Sequence, residues 1–346
     1  MGLAKDRLSM HEYFLNPEVA RVALVVGVVV SILFYERVQL TTGGAIVPAY
    51  LSMFLPAPIS IVTTLAVSYL TYYVVSVLIA KRRILYGRRK FEVEILVGLA
   101  FVSVTTVIAG HLSNWDPLLL GLGGVGMLIP GVLAHDMFRQ GPRKTLVAVM
   151  ATTAIVGLIV FLFASLLAIS PAGTAPELPA FDERTGYAPE LLLVGAVASV
   201  LMGLFTFARL GLRSGGFISG AYLALVLPRP LDLLFTAGVA VVVWLTVTKL
   251  IMPRLLVFGR RKLSTMVLVG AVIAWSVELL VIDVSSGSYV PWSGFTLMTL
   301  MIPALLANDA QRQGVEKTVW GAAIATMGVY GSVNLVEAGL TAGGWL

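Results

Sequence analysis

The chain has 346 residues, of which 58% are hydrophobic and 12% charged, with a formal net charge of +6 and a mean hydropathy of +0.94. Soluble domains carry about 25% charged residues. A chain this apolar has too little polar surface to cover itself in water, which excludes a soluble enzyme and indicates an all-α polytopic membrane protein. The absence of cysteine excludes disulfides, thiolate metal sites and cysteine nucleophiles. The three histidines (His11, His111, His135) stand far apart and suggest no metal cluster.

In chain order, an N-terminal tail over 1–20 holds no apolar core after Lys5 and Arg7, so no cleavable signal sequence is expected. A first membrane repeat over 21–170 contains long apolar runs at 21–35, 59–80, 95–110 and 145–170. Residues 171–190 are Pro-rich and polar and read as a linker. A second membrane repeat over 191–337 has runs at 191–207, 231–252, 263–282 and 318–336, and 338–346 is a C-terminal tail. Most runs fit the roughly 17–25 residues that a helix needs to cross a bilayer. Shorter runs with Gly or Pro lie between them at 44–56, 118–134, 216–228 and 293–307. Each is either a short span or a re-entrant segment, since broken backbone is tolerated at membrane depth where protein surrounds it.

The two repeats are tandem copies. Residues 36–51 (ERVQLTTGGAIVPAYL) and 208–223 (ARLGLRSGGFISGAYL) are identical at eight of sixteen positions, at an offset of 172. Composition alone gives roughly one or two identities. At the same offset Pro56 and Pro58 recur as Pro228 and Pro230, and Tyr86-Gly87-Arg88-Arg89-Lys90 recurs as Phe258-Gly259-Arg260-Arg261-Lys262. One residue further on, 129–145 (IPGVLAHDMFRQGPRKT) matches 302–318 (IPALLANDAQRQGVEKT) at ten of seventeen positions.

Basic loops at equivalent places, 81–90 and 254–262, belong on the same, cytoplasmic side. That requires an even number of crossings per repeat and disfavours an inverted-repeat transporter. With six crossings per repeat and both termini outside, Lys and Arg divide 19 inside to 5 outside; with four crossings the split is 15 to 9. The six-crossing scheme is preferred, within a range of four to six membrane segments per repeat.

Three constellations recur. The first is Arg88, Arg89 and Lys90 with Arg260, Arg261 and Lys262, either a topology signal at anionic headgroups or a docking surface for a partner or polyanion. Retention of the whole Gly-Arg-Arg-Lys string in both copies favours function over a bare charge rule. The second is Asp136, Arg139, Gln140 and Lys144 with Asp309, Arg312, Gln313 and Lys317. Asp and Arg three apart share a helical face and are placed to pair, Gly141 and Gly314 suit a left-handed cap, and Thr145 and Thr318 suit an N-cap. Those duties leave Gln140 and Lys144 as candidates for contacting a substrate or partner. The third is Glu36 and Arg37 with Gly43, Gly44 and Tyr50, kept in the second copy as Arg209, Gly215, Gly216 and Tyr222, while Ala208 replaces Glu36. The glycines suit close helix packing. Pro130 and Pro303 each interrupt an apolar run, as a kink or as a cavity lining.

There is no phosphate-binding loop and no nucleophile elbow. The carboxylates Glu94, Asp232 and Glu278 fall toward the ends of apolar runs, whereas ion-coupled transporters place ionisable groups well inside the membrane.

The strings Glu36-Arg37 with Pro48-Ala49-Tyr50-Leu51, Leu85 to Lys90, and Ile129-Pro130-Gly131 running to Arg139-Gln140-Gly141 resemble the membrane C subunit of bacterial poly-γ-glutamate synthase, the PgsC/CapC family. The resemblance covers roughly 21–165 and 191–336, one family member per repeat. The second copy departs at Ala208, Gly220 and Ala304. The resemblance implies a non-catalytic, multi-pass subunit of the cytoplasmic membrane, without a cofactor of its own, in a complex that makes and exports a polyanion. Its implied partners are a cytosolic ATP-dependent ligase (PgsB/CapB-like), a membrane-anchored A subunit (PgsA/CapA-like), poly-γ-glutamate and the lipid bilayer, with no nucleic acid. The chain then anchors the ligase and forms a passage for the polymer, as a covalent pseudo-dimer of single-copy relatives. The rival reading is a stand-alone transporter of small anions built on the broken segments.

Overall fold

The computed structural model describes residues 17–82, 87–112, 117–169, 191–255, 259–294 and 296–343, and among them every regular element is a helix. The linker at 171–190, most of the N-terminal tail and residues 344–346 lie outside the described residues, and the predicted C-terminal tail from 338 is helical as far as Ala342. The chain divides into two compact units, Met1–Ala175 and Pro176–Leu346.

The first unit contains α1 (Pro17–Val38), α2 (Val47–Met53), α3 (Pro58–Tyr72, continued by a π-helical stretch Tyr73–Ile79), α4 (Gly87–Leu112), a 3₁₀ turn Pro117–Gly123, α5 (Ile129–Gln140) and α6 (Pro142–Ile169). The second contains α7 (Leu191–Phe205, with a π-helical end Thr206–Leu210), α8 (Ser219–Leu225), α9 (Pro230–Leu245, with a π-helical end Thr246–Ile251), α10 (Arg260–Val284), a 3₁₀ turn Pro291–Gly294, α11 (Thr296–Gln313) and α12 (Val315–Ala342). Proline is the first residue of α1, α3, α6 and α9, where its missing N–H is no loss. Sequences as rich in Val, Ile and Thr as α3 are helical here because hydrocarbon offers the backbone no other hydrogen-bond partner. Its buried hydroxyls obey the same constraint. Thr64, Ser68 and Thr71 each donate to the carbonyl four residues back, at 2.7, 2.6 and 2.8 Å.

Among the described residues eight helices are long and apolar enough to cross a bilayer, four in each unit. Two further segments of each unit cover the same distance as broken paths. Residues 39–57 run antiparallel to α1, with Thr42 bonded to Ser31 and Ala49 against Gly27, and they finish with Leu55 against Gly157 of α6. Residues 117–140 run antiparallel to α4, with Gly123 facing Thr106, Gly131 facing Gly98 and Ile95, and His135 facing Glu94. A seven-residue helix such as α2 is only about 10 Å long against roughly 30 Å of hydrocarbon. Loop and helix together match the length of the helix beside them. The second unit repeats the plan: Ser214 faces Gly203 and Ala221 faces Gly195 along α7, while Ala304 faces Gly270 along α10. Each unit thus combines four continuous candidate spans with two broken segments packed along them. The prolines of the second broken pass differ in role: Pro130 opens α5, whereas α11 continues through Pro303.

Small residues set the contact between α4 and α5. A Cβ on Gly131 would lie 2.6 Å from Ile95 Cα and 2.8 Å from the Glu94 carbonyl oxygen. Gly131→Ala is expected to destabilise the chain by roughly 1–3 kcal/mol through overpacking. Gly238→Ala, where a Cβ meets open space, is expected to be neutral or to stabilise by up to about 1 kcal/mol. Thermal unfolding in detergent reads both.

Candidate functional site

The loop that follows α1 lies against the end of α5 and is held there by two side chains. The Gly43 N–H donates to Asp136 Oδ2 at 3.0 Å. The Thr41 N–H donates to Gln140 Oε1 at 2.8 Å, and Gln140 Nε2 returns a bond to the Thr41 carbonyl at 2.6 Å. Its second N–H reaches Thr145 Oγ1 at 3.0 Å, and that hydroxyl donates to the Gly141 carbonyl at 2.9 Å. The second unit reproduces the clasp bond for bond. Gly215 N–H donates to Asp309 Oδ2 at 3.1 Å; Gln313 exchanges two bonds with Arg213, both 2.8 Å, and a third with Thr318 at 3.0 Å.

This arrangement gives several predicted residues a different duty. Both amide protons of Gln140 and of Gln313 are spent inside the protein, so the recurrence of this residue is explained by loop anchoring. Thr145 and Thr318 are not N-caps; they sit one turn into α6 and α12 and bond back to Gly141 and Gly314. Those glycines have φ of 92° with ψ of 147° and 155°, a conformation outside the left-handed helical cap and still one that glycine alone adopts easily. Gly43, Gly44, Gly215 and Gly216 are turn residues with φ between 79° and 93°, not helix-packing pairs. At Gly43 a Cβ would lie 2.6 Å from Leu133, so the backbone approaches α5 closely enough to reach Asp136. Tyr50 and Tyr222 pack against the cores of their units.

The cations gather around the clasps. In the first unit Glu36, Arg37, Arg89, Arg139 and Lys144 are exposed, and in the second Arg209, Arg261, Arg312 and Lys317 are exposed. The side chains of Arg88 and Arg260 lie outside the described residues. Lys90 and Lys262 are buried, at 4% and 9% exposure. Asp309 Oδ1 lies 3.9 Å from Arg213 NH1.

A pairing of buried Glu94 with half-buried His135 escaped the sequence reading. Glu94, eighth in α4 and so about 10 Å into the helix, is 0% exposed. Its Oε2 lies 2.7 Å from His135 Nδ1, and its Oε1 lies 4.0 Å from Lys90 Nζ, while Lys90 caps the Phe138 ring. The second unit has Met266, Asn308 and Gln311 at the positions of Glu94, His135 and Phe138. The paired loss of Glu and His is visible on aligning the two copies. Asp232 and Glu278 are buried as well. Asp232 accepts from the Tyr289 hydroxyl at 2.6 Å and the Trp292 N–H at 2.8 Å; burial, then that bond, pushes the Tyr289 phenol well above its usual range. A cavity in the second unit between Leu191, Ala221, Leu225 and Tyr330 measures about 10 Å³, room for one water at most.

Tandem helical units, each with four candidate spans and a clasped loop ringed by cations, define a polytopic membrane protein with a repeated basic end. The chain belongs to the capsule biosynthesis CapC family, whose model matches twice, at 26–146 and 198–319. The PGA biosynthesis protein CapC of Bacillus subtilis (strain 168) is 32% identical over 124 residues, 35% of this chain and 78% of that protein. The capsule biosynthesis protein CapC of Bacillus anthracis is 32% identical over 126 residues, 36% of this chain and 82% of that protein. Each relative is therefore about the size of one repeat. No solved structure matches the chain.

Gln140→Leu strands the Thr41 amide and carbonyl, while the Thr145 hydroxyl keeps its bond to Gly141, and is expected to cost on the order of 1–3 kcal/mol. Gln313→Leu is expected to cost a similar amount. The two should add within about 0.5 kcal/mol because the clasps share no partner, as measured by thermal unfolding of both single variants and the double. For the Glu94–His135 pair, Glu94→Met and His135→Asn should each destabilise, since each removes the other's partner. The double variant, which copies the second unit, should fall short of their sum by about 0.5–3 kcal/mol, and simple additivity would show that the two side chains are not coupled.

Proposed function

We propose that the chain is the membrane subunit of a complex that makes and exports poly-γ-glutamate. It sits in the cytoplasmic membrane with its basic ends inward, holds the ATP-dependent ligase there and guides the growing polymer. The observation that carries this reading is the double match to the CapC family, with a clasped, cation-ringed loop built twice. The Lys and Arg asymmetry of the six-pass arrangement supports the orientation.

The physical argument concerns charge. Every residue of the polymer bears a carboxylate, and a carboxylate entering hydrocarbon without a partner is costly. Arg89, Arg139 and Lys144, with Arg261, Arg312 and Lys317, supply exposed cations where such a chain arrives, and Arg88 and Arg260 belong to the same strings. The chemistry of amide formation falls to the ligase. This chain contributes no nucleotide motif and no nucleophile motif to it. The A subunit completes the complex on the outer side.

The test is polymer in two pools, inside and outside cells, with the partner subunits expressed and this chain present or deleted. Loss of both pools on deletion is expected if the chain holds the ligase. Accumulation inside identifies the export route. Unchanged pools overturn the reading and bring forward a small-anion transporter. Neutralising Arg89, Arg139 and Lys144 together with Arg261, Arg312 and Lys317 should lower polymer output while membrane insertion persists. Full output from correctly inserted protein would reduce these cations to a topology signal.

A further inference from the structure

The two units share one backbone plan but differ in charge around the buried lysine at the basic end. In the first unit the charge that acts on Lys90 is Glu94, one turn along α4 at 4.0 Å, and Glu92 is buried nearby on the same helix. In the second unit Ser264 and Met266 stand at those two places, which leaves the first turns of α10 without a carboxylate. Arg213 takes the position of Thr41. Near Lys262 stand Arg312, Asp309 and Arg213, two cations and one carboxylate beside a third cation, with Arg213 3.9 Å from Asp309.

The neutral groups have changed in the same direction. Phe138, whose ring covers Lys90, gives way to Gln311, whose Oε1 accepts a hydrogen bond from Lys262 Nζ. His135 gives way to Asn308. Asp309 already receives the Gly215 N–H and lies 3.9 Å from Arg213. Over equivalent positions Lys90, Arg139, Asp136 and Glu94 sum to zero, whereas Lys262, Arg312, Arg213 and Asp309 with Met266 sum to +2. A surplus of cations around a mostly buried ammonium is costly unless a mobile anion joins them. The shared fold shows that a carboxylate at this place is structurally compatible, since the first unit carries one.

We infer that the second unit holds an oxyanion site formed by Lys262, Arg213 and Arg312, that its ligand is a carboxylate of the polymer, and that Glu94 fills the equivalent place in the first unit from within. The choice of ligand rests on the proposed function; the site itself rests on the charge difference between the units. Arg and Lys differ usefully here, as the guanidinium groups present paired donors to a carboxylate while the ammonium supplies a point charge.

The test measures binding of a γ-linked glutamate decamer to the purified full-length chain in a neutral detergent, at low and high salt. Met266→Glu places a carboxylate one turn from Lys262, as Glu94 stands to Lys90, and is expected to weaken the decamer by about tenfold or more. Arg213→Thr installs the residue of the first unit, keeps the backbone bonds of the clasp, and is expected to weaken it by at least about threefold. If the wild type binds and both variants bind as well as it does, the site is overturned while the polymer reading stands. If the wild type ignores the decamer but binds a short-chain phosphatidylglycerol in a manner lost in Met266→Glu, the oxyanion site stands and its ligand is a lipid phosphate. Binding of neither probe overturns the site.

Discussion

An unpaired amide at membrane depth is the constraint on which this architecture turns. A continuous helix satisfies its own backbone, but a pass that begins as a loop has to borrow partners. Hydrocarbon supplies none, and each unsatisfied group costs several kcal/mol. The loop after α1 borrows from α5: Asp136 takes the Gly43 N–H, and Gln140 takes the Thr41 N–H and returns a bond to its carbonyl. The same three bonds recur at Gly215 and Arg213. Because the donors sit on a loop and the acceptors on a helix about a hundred residues away, the clasp ties the first broken pass to the second. It also fixes where the surrounding cations stand.

That constraint explains which parts of the molecule could be read from the sequence. The tandem copies were legible because the clasp tolerates little substitution: Gly43, Gly44, Asp136, Gln140, Gly141 and Thr145 all recur, and these identities carry much of the internal match. The long helices were legible because a run of roughly twenty apolar residues has few other fates. What the recurring residues do was not legible. A glutamine that recurs beside a lysine looks alike whether it binds a ligand or a loop, and only the bonds to Thr41 and Thr145 decide the matter. Thr145 resembled an N-cap because the helix start lies four residues earlier than its hydroxyl suggests. Glu94 and His135 were passed over because a carboxylate near the end of an apolar run reads as a boundary, and the depth of Glu94 emerges only from the packing of α5 on α4.

The Glu94–His135 pair beside the buried Lys90, and the loss of that pair from the second unit, separate fold from function more cleanly than either unit does alone. A buried charged group is often weak evidence of stability, since desolvation offsets much of the attraction. Here the molecule carries its own comparison. The second unit builds the same helices and the same clasp with Met266 and Asn308 in place of the pair, so the architecture does not depend on it. Glu94 therefore acts on the charge of the basic end, balancing a lysine that the second unit leaves in the company of Arg213 and Arg312.

Covalent fusion is what permits such a difference. In an assembly of identical separate copies, each position carries one residue, and a charge removed from one copy is removed from all. Two copies in one chain are free to diverge, so one lysine keeps an internal carboxylate while the other loses it. The clasp, which both units need in order to hold a broken pass, has been retained almost atom for atom. The lysine environment, which neither fold requires, has not. The pattern of retention and divergence within a single sequence thus marks the backbone partners as architecture and the charge around Lys90 and Lys262 as the part in which the two halves differ.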